Sequence, residues 1–172
     1  MSTITLYTYL KNPDLHAISA QEAITTLLGF NYVKGLRRYG CWELNFEETT
    51  ENANIQLKTI LDNTYYIVNP NKEAYIENRL PTPNNFKQKL VKVSPKDKVD
   101  YNSISQTINK KCKTNLSKLE FYTVWEILCD QNSTIDTNQI LSEICLTTSV
   151  KEGILANPIS ENCSLIRQWV PH

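Results

Sequence analysis

The chain has 172 residues, which is enough for one domain or two small ones. Its 18 Lys and Arg residues balance its 18 Asp and Glu residues, so it lacks the basic excess that is typical of nucleic-acid binders. No apolar run approaches the roughly 18 residues of a membrane span, and the five cysteines form no C-x-x-C pair. We therefore expect a soluble cytoplasmic protein with no metal ion, no cofactor, no nucleic-acid partner and no membrane partner.

The first half of the sequence predicts a strand, a helix, two strands, a second helix and a short closing strand. Residues 4–10 alternate between apolar and polar, as a half-buried strand does. Ser19 to Glu22 predicts a capping box at the start of the first helix, and Gly29 predicts its left-handed C-cap. A tight turn is expected near Tyr39-Gly40, between two strands at 31–38 and 41–47.

The same order of elements is predicted again after a linker. The second helix of the first half starts near Thr50, and a turn at Asn69-Pro70 precedes its closing strand. Residues 78–85, with two prolines and three asparagines, are typical of a linker. The second half then predicts a strand at 86–93, a helix over Ile104 to Cys112, two strands between 116 and 129, a helix capped by Asp136 and a turn at Asn157-Pro158.

Matching residues in the two halves indicate an internal duplication. Tyr39, Trp42 and Glu43 recur as Tyr122, Trp125 and Glu126, each 83 positions later. The predicted fold class is α+β, with two repeated β-α-β-β-α-β units related by a pseudo-twofold axis and helices packed on antiparallel sheets. The predicted domains are one unit at 1–78, a linker at 79–85 and a second unit at 86–172.

Three motifs carry a resemblance to a known family. Leu28-Gly29-Phe30-x-x-Val33 is similar to that family's Leu-Gly-Tyr-x-x-Val stretch, and Leu36-Arg37 followed by Trp42-Glu43-Leu44 is similar to the two ends of its hairpin. The sequence ILANPISE at 154–161 is close to its Leu-Leu-Ala-Asn-Pro-Val-Ile-Glu, and YIVNPNKE at 66–73 is a weaker copy. The chain thus resembles a tandem duplicate of the PurS family, the small subunit of phosphoribosylformylglycinamidine synthase in de novo purine biosynthesis.

The resemblance implies a subunit that has no catalytic residues of its own. Such a subunit holds the glutaminase subunit against the ATP-dependent synthetase subunit, so that ammonia passes between two aligned active sites without escaping into water. The N-terminal region of the long single-chain form of the enzyme is similar. A homodimer of the chain is a further alternative that the resemblance leaves open. The residues expected at a partner interface are Arg37, Arg38, Asn69, Pro70, Asn157 and Pro158.

The remaining candidate residues have structural interpretations. Trp42 and Trp125 are expected in the core, because a buried indole supplies a large packing surface. Glu43 and Glu126 are expected on an exposed sheet face or paired with a cross-strand Lys or Arg. His16 is expected in a loop. Two other functions stay open: a regulatory α+β module that binds a small molecule, and a small isomerase or monooxygenase of similar shape, which the lack of a His or Asp constellation disfavours.

Overall fold

The computed structural model describes residues 1–97, 99–149 and 153–166. Its strands are β1 (Ser2–Leu10), β2 (Val33–Phe46), β3 (Glu73–Glu77), β4 (Phe86–Pro95), β5 (Leu116–Asp130) and β6 (Glu161–Ile166). Its helices are α1 (Leu15–Glu22), which continues as a π-helix over Ala23–Leu27, α2 (Thr50–Asn63), α3 (Asn102–Cys112) and α4 (Thr137–Gln139), which continues as a π-helix over Ile140–Cys145. Within these ranges, no helix is both long and apolar enough to cross a membrane.

The protein is of the α+β class, and its strands form an antiparallel sheet in the order β3-β1-β2-β5-β4-β6. The chain divides into two compact units, each built from separate stretches. The first unit comprises Met1–Asn12, Gly40–Leu80 and Lys98–Phe121, and the second comprises Pro13–Tyr39, Pro81–Asp97 and Tyr122–His172. Strands β2 and β5 each contribute one part to either unit.

The core of the first unit lies between its strands and two helices. On α2, Ala53, Leu57 and Ile60 recur at helical spacing and are buried, as the sequence predicts. Leu44 and Phe46 of β2 are fully buried against the same cluster. Each fully buried aliphatic or aromatic side chain contributes about 1.5–3 kcal/mol, so this apolar stripe, rather than helix propensity, fixes α2 in place.

The core of the second unit packs two helical segments against β4 and β5. Ile24 at the end of the first helical segment and Ile140 and Ile144 at the end of the last are fully buried. Val91 of β4 and Ile127 of β5 face them in the same cluster. Residues 124–129 of β5 are buried without interruption, so this part of the strand is covered on both faces.

The predicted turn at Tyr39-Gly40 is wrong, because β2 runs straight through it. Gly40 pairs with Thr8 of β1 inside the ladder. A Cβ at position 40 would lie 2.8 Å from Thr8 Oγ1 and 2.9 Å from Phe121 Cε2. Glycine is needed here for close approach and not for a turn. The two strands predicted between 116 and 129 are likewise the single strand β5, so each half has the order β-α-β-α-β instead of β-α-β-β-α-β.

The predicted capping box at Ser19 is also wrong. The first helix begins at Leu15, and its N-cap is Asp14, five residues before Ser19. The carboxylate of Asp14 accepts hydrogen bonds from the backbone N–H groups of His16 and Ala17. His16 therefore lies in the first turn of α1 and not in a loop. Gly29 has a φ of 77°, which confirms the predicted left-handed conformation after this helical segment.

Strand register is equivalent around the two repeated tryptophans. Leu6 pairs with Trp42 on one side of β1 and with Glu77 on the other. Val91 pairs in the same way with Trp125 and with Leu165 on the two sides of β4. Residues 78–85 between the halves form neither helix nor strand. The predicted division into units at 1–78 and 86–172 stays a prediction.

Candidate functional site

The Asn69-Pro70 turn is built around the backbone of Asn69. The Asn69 carbonyl accepts hydrogen bonds from the N–H groups of Lys72 (3.0 Å) and Glu73 (2.8 Å), while its side-chain oxygen accepts one from Asn71 N–H (3.1 Å). The Glu73 carboxylate closes the turn by accepting the N–H of Asn69 at 2.8 Å. Every one of these bonds is local, so the five-residue sequence N-P-x-x-E is enough to specify the turn.

The Asn157-Pro158 turn repeats this arrangement bond for bond. The Asn157 carbonyl accepts from Ser160 N–H (3.2 Å) and Glu161 N–H (2.8 Å), and its side-chain oxygen accepts from Ile159 N–H (2.9 Å). Glu161 accepts the N–H of Asn157 at 2.8 Å. We refer to residues 69–73 and 157–161 as the twin turns.

A lysine from a neighbouring strand end completes each of the twin turns. Lys11, directly after β1, donates from its ammonium to the carbonyl of Pro70 at 2.6 Å and from its backbone N–H to the carbonyl of Lys72 at 2.9 Å. Lys96, directly after β4, makes the same two bonds, to the carbonyls of Pro158 and Ser160. The first turn is thereby fixed to the end of β1, which pairs with β3, and the second turn is fixed to the end of β4, which pairs with β6.

The twin turns differ at their tips. Asn71 occupies the third position of the first turn and is exposed, whereas Ile159 occupies the same position of the second turn and is 85 % exposed. The two turns share a backbone design but differ in the polarity of their exposed side chains.

The Asn-Pro pairs are evident in the sequence, but the residues that hold them are not. Glu73 and Glu161 close the turns, and Lys11 and Lys96 fasten them. The spacing N-P-x-x-E in both halves was the available signal for the glutamates. The lysines gave only a weak signal, a basic residue right after the first strand of each half, because each contacts its turn across a long stretch of sequence.

Arg37 and Arg38 point to opposite sides of β2, as neighbours in a strand do. Arg38 donates to Asp14 through two nitrogens, at 2.9 and 3.2 Å, and its guanidinium lies 5.9 Å from the centre of the Trp125 ring. Its charge is therefore used internally, to fix the N-cap of α1. Arg37 is 62 % exposed, with its nearest nitrogen 3.6 Å from Glu126. Of the two arginines, Arg37 is therefore the more exposed, although its guanidinium faces Glu126.

Glu126 is paired as expected but is not exposed. Its side chain is 1 % exposed, and both carboxylate oxygens are engaged. One oxygen accepts from Gln88 Nε2 at 2.5 Å, and the other accepts from the Tyr39 hydroxyl at 3.1 Å and faces Arg37. Burial, followed by the charge of Glu126, raises the pKa of Tyr39 to about 12 and keeps it a neutral donor. Glu43, the equivalent residue of the first half, is half-buried.

The core interpretation of the two tryptophans is confirmed. Trp125 is 7 % exposed in the core of the second unit. Trp42 is half-buried at the border of the first core, with its ring centre 4.6 Å from that of Phe121 and 5.7 Å from that of Tyr101. Both side chains therefore contribute to packing, Trp125 inside a core and Trp42 at the border of one.

Metal-binding groups are not brought together in the part of the chain that the structure describes. There, no three His, Cys, Asp or Glu side chains are placed to hold one ion. The assignment of the arginines and of the Asn-Pro residues to a partner interface stays a prediction. Comparisons with protein-family models, with curated proteins and with solved structures found no match.

Proposed function

We propose that the chain is a duplicated PurS-like subunit of phosphoribosylformylglycinamidine synthase, acting in the cytoplasm in de novo purine biosynthesis. Its role is to bridge the glutaminase subunit and the ATP-dependent synthetase subunit of that enzyme. The two halves are copies of one ancestral module related by a pseudo-twofold axis, and the chain supplies alignment of the two partner active sites rather than chemistry of its own.

The single observation that carries this proposal is the equivalence of the twin turns. Each uses an Asn-Pro pair, a glutamate four residues after the Asn and a lysine from the end of the neighbouring strand, with the same donors and acceptors. Independent origin of the whole set is improbable, because the lysines lie far from the turns in sequence. The equivalent pairing of Trp42 and Trp125 supports the same duplication.

Divergence between equivalent positions supports two unlike partners. Ile159 stands where the first turn has Asn71, and Glu120 stands 83 positions after Arg37. Glu120 is paired with Lys118 at 2.8 Å, whereas Arg37 is mostly exposed. A duplicated scaffold that contacts one partner through each half needs the shared backbone to persist while the exposed side chains diverge. The sequence motifs of the PurS family then specify which two partners these are.

The surroundings of Glu126 support a scaffold role rather than an active site. A general base needs a carboxylate oxygen that can reach a substrate proton. Both oxygens of Glu126 already accept hydrogen bonds from side chains of the fold, and the side chain is almost wholly buried. This carboxylate therefore contributes to the stability of the second unit.

The proposal is tested by assembly from purified components. The synthetase and glutaminase of the same organism are mixed with the chain, and the complexes are sized by light scattering coupled to gel filtration. We expect one complex that contains all three proteins. Failure of the chain to bind either protein contradicts the proposal.

Two matched variants locate the contact. Ile159→Asp removes a side chain worth about 1.5–3 kcal/mol when buried, so it should weaken binding of one partner about 10- to 100-fold and spare the other. Asn71→Asp introduces the same charge at the equivalent position of the first turn. It should leave unchanged the binding of the partner that Ile159→Asp weakens. Equal effects of the two variants on both partners contradict the assignment of one partner to each turn.

A further inference from the structure

A cavity in the second unit has features that the bridging role does not explain. Its volume is about 300 Å³, and it lies beside the first residues of β4 and the segment that follows β5. Its polar lining consists of two ammonium groups and two hydroxyl-bearing residues: Lys87, Lys89, Ser133 and Thr134. The lysines and Thr134 offer hydrogen-bond donors, whereas the Ser133 hydroxyl already donates to the carbonyl of Asp130 at 2.8 Å. No carboxylate side chain among the described residues lines the cavity.

The two lysines place their positive charges on the same side of β4, because they are two residues apart in a strand. Lys87 donates to the backbone carbonyl of Ser133 at 2.8 Å, which positions its ammonium without neutralising it. The nearby carboxylate of Asp130 is paired with Lys34 at 3.2 Å. Among the described residues, neither Lys87 nor Lys89 forms an ion pair.

The rest of the lining is apolar and strengthens these charges. It consists of Cys129, Ile135 and Ile140, of which Cys129 and Ile140 are buried. Burial raises the pKa of the Cys129 thiol, the charge of Lys89 opposes that rise, the carboxylate of Asp130 adds to it, and the charge of Lys87 opposes it more weakly. Lys89 is half-buried, so its charge is screened less than at an open surface, whereas Lys87 and Thr134 are exposed.

We propose that this cavity is a binding site for a small oxyanion, namely a phosphate group carried by a small molecule. Lys89 and Lys87 supply the charge, the hydroxyl of Thr134 donates a hydrogen bond to one of the remaining oxygens, and the apolar wall packs against the rest of the ligand. A cavity of this volume is at the lower limit for ligand pockets, which excludes a polynucleotide and favours a compact phosphate ester.

The proposal goes beyond the bridging role and does not depend on it. Lys87 and Lys89 lie on β4, whereas the twin turns precede β3 and β6. The site can therefore be present whether or not the chain binds the two purine-synthesis partners, and each proposal can fail alone.

The test is a titration of the full chain, labelled with ¹⁵N, at constant ionic strength and pH 8. The probes are inorganic phosphate, phenyl phosphate and, as the control anion, chloride. We expect phosphate and phenyl phosphate to shift the backbone amide signals of residues 87–89 and 129–135, and chloride to leave them in place. Signals that do not move, or that move equally with chloride, overturn the proposal.

Two variants separate this site from general charge effects. Lys89→Gln should weaken phosphate binding, measured as the dissociation constant from the shift titration, by about 10- to 100-fold. This is the loss expected for one charge-assisted contact. Lys110→Gln removes the same charge from an exposed position on α3 and should leave the dissociation constant unchanged. The unbound spectrum of each variant shows whether it is folded. If Lys89→Gln fails to fold, the map of shifts in the wild-type chain decides: shifts confined to residues 87–89 and 129–135 support the site, and shifts centred elsewhere overturn it.

Discussion

Replacing Glu126 by alanine tests the role of the buried carboxylate most sharply. The substitution removes the acceptors of the Tyr39 hydroxyl and the Gln88 amide. The Tyr39 hydroxyl is buried, so the loss of its acceptor costs about 1–3 kcal/mol, whereas Gln88 is half-buried and keeps the carbonyl of Pro81 as an acceptor. Arg37 adds little, because its side chain is 62 % exposed and stays hydrated when its partner is lost. We therefore expect the free energy of unfolding to fall by about 3–5 kcal/mol, including the cavity that the missing side chain leaves.

Glu126→Gln should cost less, about 1–2 kcal/mol, because it keeps one acceptor oxygen. That oxygen must face Gln88, whose Nε2 also donates to the carbonyl of Pro81 at 2.9 Å and is thereby held in orientation. The Tyr39 hydroxyl must then accept from the new amide instead of donating. The hydrogen-bond geometry thus predicts that the free energy of unfolding is lowest for Glu126→Ala, higher for Glu126→Gln and highest for the wild type.

The assay is urea unfolding followed by tryptophan fluorescence, with Glu43→Ala as the matched control. Glu43 occupies the equivalent position of the first half but is only half-buried, so its replacement should cost less than about 1.5 kcal/mol. The reasoning is refuted if Glu126→Ala costs less than about 1 kcal/mol, or if the two alanine variants are equally destabilised.

Three further predictions concern the fold. Gly40→Ala should destabilise the protein by about 1–3 kcal/mol in urea unfolding, because its Cβ would overlap two packed side chains. Gly35→Ala should cost less, since its Cβ would meet only the Leu128 side chain at 3.2 Å, and equal costs would contradict the account of β2. Asp14→Ala should lower the free energy of unfolding by about 1–2 kcal/mol. Asp14→Asn should lower it by less, because asparagine keeps the N-cap and loses only the charge that faces Arg38, and an asparagine variant as unstable as the alanine variant would exclude the cap. The contribution of Tyr39 to the free energy of unfolding should stay constant up to pH 10 and be lost as the pH rises from 10 to 12. The pKa of Tyr39 is about 12 in the folded chain and 10.0 when exposed, so only the unfolded chain gains from its ionisation between those values; a Tyr39→Phe variant with an unchanged slope between pH 10 and 12 would contradict this.

Periodicity in the sequence was enough to predict most elements of the fold. Alternation at 4–10 predicted β1, and the spacing of Ala53, Leu57 and Ile60 predicted the buried side of α2. Ile108, fully buried on α3, was found in the same way. These elements each bury one face, so the local pattern reports directly on the packing.

The errors arose where one residue type serves two physical purposes. Gly40 was interpreted as a turn residue because glycine tolerates a positive φ, whereas its position is fixed by close contact with Thr8 and Phe121 from other elements. Glu126 alternates with apolar neighbours as an exposed residue would, and only the contacts with Gln88 and Tyr39 show that its face of β5 is also covered. Neither relation is visible within a short sequence window.

In the candidate site, as in the fold, local features are predictable from the sequence and long-range contacts are not. The Asn-Pro pairs were found because their turn chemistry is local. The lysine that fastens each turn was not, since Lys11 and Pro70 are joined only by the pairing of β1 with β3. Long-range pairing of this kind is what sequence patterns leave unspecified.

The bridging role is tested most directly by the nitrogen source that the assembled enzyme can use. Turnover of purified synthetase plus glutaminase is measured with and without the chain, once with glutamine and once with an ammonium salt. We predict that omission of the chain abolishes glutamine-driven turnover and leaves ammonium-driven turnover intact. Glutamine-driven turnover that is the same without the chain would contradict the account.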